Sequence, residues 1–362
     1  MKSTDIANIR LISQQIAKTK LRSPKEIVGR MGAMQAQDYN MAKWAIGIRL
    51  PKATQKSVQA AIDKGEIIRT HLLRPTWHFV SADDIYWMLE LTARRLKAAQ
   101  KSREKQLELT EKIFAKTNDI FKKVLKGNNH LTRAELLSEL KKAKIAIDNN
   151  RASHILFNAE LEGIICSGKT KAKQNTYALL NEWVPENKKL HKDKALSKLA
   201  KTYFESRCPA TLQDFTWWSG LSATDAKHAL EMIRPQFFSE VINSKTYWFP
   251  HTFSNPKNIK GSAYLLPAFD EFLISYKDRT AALDLEHLSK AFSNNGIFWP
   301  TVVINGRIEG IWKRTLKRDA VIIETKYFNS GDKNIHHMVD NAAGDFGSHI
   351  GQKIEVVHGT YK

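Results

Sequence analysis

Three groups of residues in this chain have types and spacings that could do chemistry. The first is Gln35-Ala36-Gln37, two neutral amides around one small apolar residue, with Asp38 next. Taken alone, glutamines at a helix end are usually just solvated. The second is Arg69, His71, Arg74 and His78, in a stretch that reads as a β-hairpin. Residues two apart on a strand share a face, which pairs Arg69 with His71. Arg74 stands beside Pro75 at the turn, where a loop tip can reach into a groove. An exposed turn arginine with hydrogen-bonded histidines fits the same residues. The third is C-terminal: Pro267–Glu271, Arg279, then Arg307, Lys313 and Arg314 around Trp312. There Trp312 would pack a core while the cations stay in water.

Other chemistries are absent. The chain has no Walker loop, no dinucleotide glycine fingerprint and no Gly-x-Ser-x-Gly. Cys166 and Cys208 lie far apart without histidines at ligand spacing, so neither a disulfide nor a zinc site is expected. His336 and His337 are neighbours on a predicted helix and point in different directions. No metal and no cofactor are therefore expected.

The charge narrows the partners. Fifty-seven Lys+Arg against 37 Asp+Glu give a net charge of +20. Such an excess attracts polyanions, although it also serves solubility. Hydrophobic residues at 42% and aromatics at 9% suffice for packed cores. No stretch approaches the roughly 20 apolar residues of a membrane span. Residues 1–10 lack the apolar core of a secretory signal. The expectation is a cytoplasmic, nucleoid-associated monomer that does not engage membranes.

The elements that must position these residues form a pattern repeated three times: two or three helices, then a short hairpin. In the first, a helix covers 8–18. A second opens at Ser23-Pro24-Lys25-Glu26 and carries Ile27, Met31 and Met34 on one side. Further helices hold Trp44 and Ile48 and cover 54–64, and a hairpin spans 67–73 and 76–80. A long helical stretch, 83–126, follows. In the second, Thr132-Arg-Ala-Glu135 caps a helix to about 144, and a helix over 151–162 precedes strands at 164–166 and 170–179. Lys169, Lys171 and Lys173 alternate there and would share one face, to lie on phosphates or to protect an edge strand. The third has helices at 193–206, after Thr211 and after Ser222, then a hairpin turning at Asn243-Ser244. From Ser262 strands dominate, with Asn305-Gly306 as a hairpin turn. The fold class is mainly α with β: three tandem winged-helix units plus a C-terminal β-barrel-like domain. The segments are 1–82, 83–127 (connector), 128–185, 186–255 and 256–362.

Five segments resemble the winged-helix DNA glycosylases of the AlkZ and YcaQ type: Met34–Asp38, Arg69–His78, Asp214–Leu221, Leu266–Glu271 and Val303–Trp312. They occur in family order over most of the chain. The resemblance implies removal of alkylated, bulky or crosslinked bases from duplex DNA. It also implies three winged helices and a β-barrel. Gln35 and Gln37 match the Gln-aliphatic-Gln signature of the AlkZ-like branch, with Ala36 between.

Breaking an N-glycosidic bond builds an oxocarbenium ion, which glycosidases usually meet with carboxylates. Glutamine is too weak a base for that. It can hold a water and turn its carbonyl dipole to the cationic sugar. That help suffices when the base leaves readily, as a cationic N3- or N7-alkylpurine does. The implied catalytic residues are Gln35 and Gln37, one holding the water and the other supporting the motif, with Gln37 taken as the water holder and the reverse assignment open. Asp38 is a candidate general base. DNA contacts fall to Arg69, His71, Arg74, His78, Lys169, Lys171, Lys173, Arg307 and Arg314. A non-catalytic winged-helix DNA-binding protein or regulator is the alternative, sharing the charge and the wings.

Overall fold

The structure is a computed structural model and describes residues 3–186, 189–253, 261–329 and 331–361. The segment boundary expected at 255/256 lies outside them. The chain divides into two compact units, one of residues 1–59 with 197–362 and one of 60–196.

In the first unit, the opening helix is Ser3–Ser13. It ends earlier than expected, and Gln15 follows with φ 63°. Helix Pro24–Met31 starts at Ser23, whose side chain accepts from Glu26 N–H. It stops before Met34, because Gly32 at φ 72° turns the chain and Ala33–Gln35 becomes a buried strand. The motif therefore leaves a strand, not a helix. Helix Tyr39–Gly47 follows, and helix Gln55–Asp63 runs across the division between units.

Helices Leu212–Ser219 and Ala223–Ile233 lead to the hairpin Phe237–Ile242 and Lys245–Pro250. Its turn has Asn243 and Ser244 at φ 49° and 62°, the positive values a two-residue hairpin needs. The C-terminal strands form one five-stranded sheet in the order Lys353–Thr360, Ala320–Tyr327, Arg307–Leu316, Thr301–Ile304, Ala263–Leu266. The first pair is parallel and the rest antiparallel. This sheet is open, which corrects the expected barrel. The last strand returns through helix Lys333–Ile350, and such a crossover sets it parallel to its neighbour at the sheet's edge. Asn305-Gly306 is the hairpin turn expected, at φ 49° and 84°. Trp312 is buried, as expected, and packs with Trp44, Val339 and Phe346.

In the second unit, hairpin Ile67–Leu72 and Thr76–Ser81 precedes helices Ile85–Gln106 and Glu111–Leu125. These two make up the helical stretch expected over 83–126. The break lies where Leu107 and Leu109 turn into the core and Thr110 caps the next helix through Ile113 N–H. Thr132 and Glu135 form the predicted capping box of helix Arg133–Lys142. Helix Arg151–Leu161 follows. Strands Leu131–Thr132, Thr176–Leu179 and Ile165–Ser167 then form a sheet in that order. The strand expected over 170–179 starts only at Thr176. Lys169, Lys171 and Lys173 thus sit on an exposed loop, and Ala172 and Lys173 have positive φ. They share no strand face. Among the described residues, no helix is long and apolar enough to cross a membrane.

Candidate active site

The glutamine motif occupies the end of strand Ala33–Gln35 and the step into helix Tyr39–Gly47. Gln35 is 6% exposed and Ala36 is fully buried, whereas Gln37 and Asp38 are exposed. The two amides are therefore unequal. The middle residue is small where no side chain volume faces water. Only the second glutamine stands at the surface.

A buried ion pair holds this segment in place. Glu271 and Arg207 have side chains 1% and 0% exposed and meet at 2.7 Å. Glu271 Oε1 accepts from the Gln35 backbone N–H at 2.8 Å. Its Oε2 accepts from Arg207, Ser275 Oγ and Trp218 Nε1. Arg207 in turn donates to the carbonyls of Met31 (2.7 Å) and Ala33 (2.9 Å). One ion pair so anchors three backbone groups of the five residues ending at Gln35. Burial alone would raise the Glu271 carboxyl. The Arg207 guanidinium, with the donors from Ser275 and Gln35, overrides that and holds it at about 2.

Two more buried arginines extend the network. Arg49 binds Asp270 through two contacts of 2.8 Å and donates to Gln14 Oε1. Gln14 Nε2 donates to the Glu271 carbonyl. Arg10 lies 3.8 Å from Asp214, itself part of the capping box of helix Leu212–Ser219. Three buried arginines thus each face a carboxylate, since a lone buried charge would be prohibitive.

Asp38 has a structural task. Its Oδ1 accepts from Asn40 and Met41 N–H at 3.1 and 3.0 Å, capping helix Tyr39–Gly47. One cation, Arg314, is coupled electrostatically to the exposed end of the motif. Burial lowers the Arg314 pKa, and the negative charge of Asp38 opposes this, which places the two in each other's field. Lys43, on the same helix as the cap, is buried and donates to Gln59 Oε1. His349 is pulled down by burial, against its hydrogen bond with the Ala53 carbonyl, and the charges of Lys43 and Arg314 push the same way as burial.

A family model described as DNA glycosylase AlkZ-like matches residues 28–347. The chain belongs to this family. Its enzyme class is DNA glycosylase, and DNA is its partner. The Interstrand DNA cross-link repair glycosylase of Streptomyces sahachiroi is 24% identical over 310 residues, covering 80% of this chain and 82% of that protein. The solved Streptomyces sahachiroi DNA glycosylase AlkZ matches with a TM-score of 0.81 at 19% identity, over 99% of this chain and 100% of the other. This last likeness concerns the fold.

For an AlkZ-like protein, the residues expected to meet DNA are unequally placed. Lys169 and Lys173 are exposed. Lys171, also exposed, pairs with Glu135 at 2.7 Å. Arg74 is partly exposed near the hairpin tip, and Arg69 lies over the Trp77 ring at 4.1 Å. His71 has its Nδ1 2.8 Å from Glu160 Oε2. One assignment needs correction. His78 is fully buried, with Nδ1 2.9 Å from the Thr76 carbonyl oxygen, and so presents nothing to a phosphate. Arg307 pairs with Asp284 and lies 3.9 Å from Glu309, much as Lys171 pairs with Glu135. Arg314, of the C-terminal pair, lies in the field of Asp38. Sequence reasoning missed Arg207 and Arg49. Their partners Asp270 and Glu271 lay in a resembling segment, but nothing local marked the arginines.

Proposed function

We propose that this protein hydrolyses the N-glycosidic bond of cationic N3- or N7-alkylated purines in duplex DNA, bulky and crosslinked adducts included. It acts as a monomer without metal or cofactor. Gln37 holds the attacking water and turns its carbonyl dipole to the oxocarbenium sugar. Gln35 supports it from below, its backbone fixed by Glu271. The observation that carries this reading is the inequality of the two amides, one sealed against a buried ion pair and one at the surface.

The chemistry follows from what is present. A neutral amide orients water but does not deprotonate it, so the leaving group must already be good. A purine that carries a positive charge departs as a neutral base. Asp38 is the candidate general base on the same loop, and its engagement with two backbone N–H groups favours the capping role over it. Arg314 and the loop lysines supply phosphate contacts, whose salt dependence follows counterion release. The relative named for interstrand cross-link repair supports the inclusion of bulky adducts.

The test is to incubate the protein with duplex DNA containing N7-methylguanine and to look for the free base and alkali-labile abasic sites. Release of the base with an abasic product supports the proposal. An intact strand after excess enzyme, with several alkyl lesions tried, overturns it.

A further inference from the structure

A second chemically distinct place lies within residues 60–196, beneath the hairpin Ile67–Leu72 and Thr76–Ser81. Glu160, on helix Arg151–Leu161, has a side chain 0% exposed. Its Oε2 accepts from His71 backbone N–H at 2.9 Å and from Thr70 Oγ1 at 3.3 Å, and lies 2.8 Å from His71 Nδ1. Its Oε1 is buried and has no hydrogen-bond partner among the described residues. A buried carboxylate oxygen without a donor costs free energy, which a ligand bearing an N–H group would recover.

That carboxylate borders a cavity of about 250 Å³. His71, Trp77, Phe157 and Tyr177 supply aromatic walls, and Arg133 lines it too. The His71 ring lies 4.1 Å from Trp77 and 4.6 Å from Phe157. Arg133 is exposed and donates from Nη2 to Ser153 Oγ at 3.0 Å. Aromatic walls suit a flat ring, a buried acceptor suits its N–H edge, and an exposed guanidinium suits a phosphate.

We propose that this cavity binds a purine nucleotide, with an amino or ring N–H edge on Glu160 Oε1 and the phosphate on Arg133. The reading is independent of the glutamine motif. The nucleotide is either free in solution or part of a strand, and the chemistry of the site is the same for both.

The experiment titrates the full chain with 2′-deoxyadenosine 5′-monophosphate and with its analogue lacking the exocyclic amino group, following tryptophan fluorescence. Each base is also placed in the middle of a short single strand. The amino form should bind about tenfold more tightly, since the analogue leaves the carboxylate oxygen unmet. Glu160→Gln should erase that preference. The oxygen of the new amide must serve His71 N–H and Thr70, which turns its NH2 toward the cavity. Ser153→Trp fills the cavity mouth while leaving Glu160 in place, and should abolish binding. Sensitivity of the mononucleotide alone assigns a free ligand. Sensitivity of the strand as well assigns a nucleotide still attached. No saturable binding by wild type at millimolar nucleotide overturns the proposal, as does discrimination that survives in a folded Glu160→Gln protein.

Discussion

Arg207 and Glu271 meet at 2.7 Å with both side chains out of solvent, and between them they hold Met31, Ala33 and Gln35 by the backbone. Removing one partner strands a buried charge. Arg207→Ala should therefore lower unfolding free energy by about 3–5 kcal/mol. Urea denaturation measures this. Base release should fall as well, since the segment leading to Gln37 loses the two bonds that Arg207 donates to the Met31 and Ala33 carbonyls.

The same pair sets an acid limit. Glu271 is held at about 2 against an ordinary 4.5, so its folded pKa is depressed. Its contribution is fully present above pH 4.5 and is lost as pH falls toward 2, amounting to about 3 kcal/mol at one pKa unit per ~1.4 kcal/mol. Glu271→Gln should be less stable than wild type at neutral pH, with the difference shrinking across that window. Thermal melts over acidic pH would show it. A constant difference would contradict the assignment.

Asp38 separates a cap from a base. Asp38→Asn keeps an N-cap acceptor and should retain both stability and most base release, whereas Asp38→Ala should cost about 1 kcal/mol. Loss of activity in a stable Asp38→Asn protein would restore Asp38 as the general base.

The loop lysines should act through phosphate. Lys169→Ala and Lys173→Ala should each reduce the log–log salt slope of duplex binding by about 1. His78→Gln should leave that slope unchanged, because the ring is buried. Binding isotherms over a range of salt concentrations distinguish these outcomes.

Much of this was legible in local pattern. The capping residues Ser23, Thr132 and Thr211, the turns at Asn243-Ser244 and Asn305-Gly306, and the burial of Trp312 follow from short-range rules. The failures are tertiary. Gly32 ended a helix whose apolar spacing still continued to Met34. The C-terminal strands form an open sheet whose two edge strands lie about a hundred residues apart in sequence, a pairing that local pattern does not fix. The wing lysines alternate in sequence, yet positive φ at Ala172 and Lys173 takes them off a strand. The arginines behind the motif were invisible, since Arg207 is 64 residues from Glu271 and 174 from Ala33. Net charge pointed outward, to DNA, while three arginines were spent inside.

The central claim is that Gln37, not the buried Gln35 or the capping Asp38, handles the water. Single-turnover release of N7-methylguanine from duplex DNA, with the melting temperature of each variant measured alongside, tests it most directly. Gln37→Ala should slow release by about 10²-fold or more with its melting temperature unchanged. Release by Gln37→Ala at the wild-type rate would contradict the account.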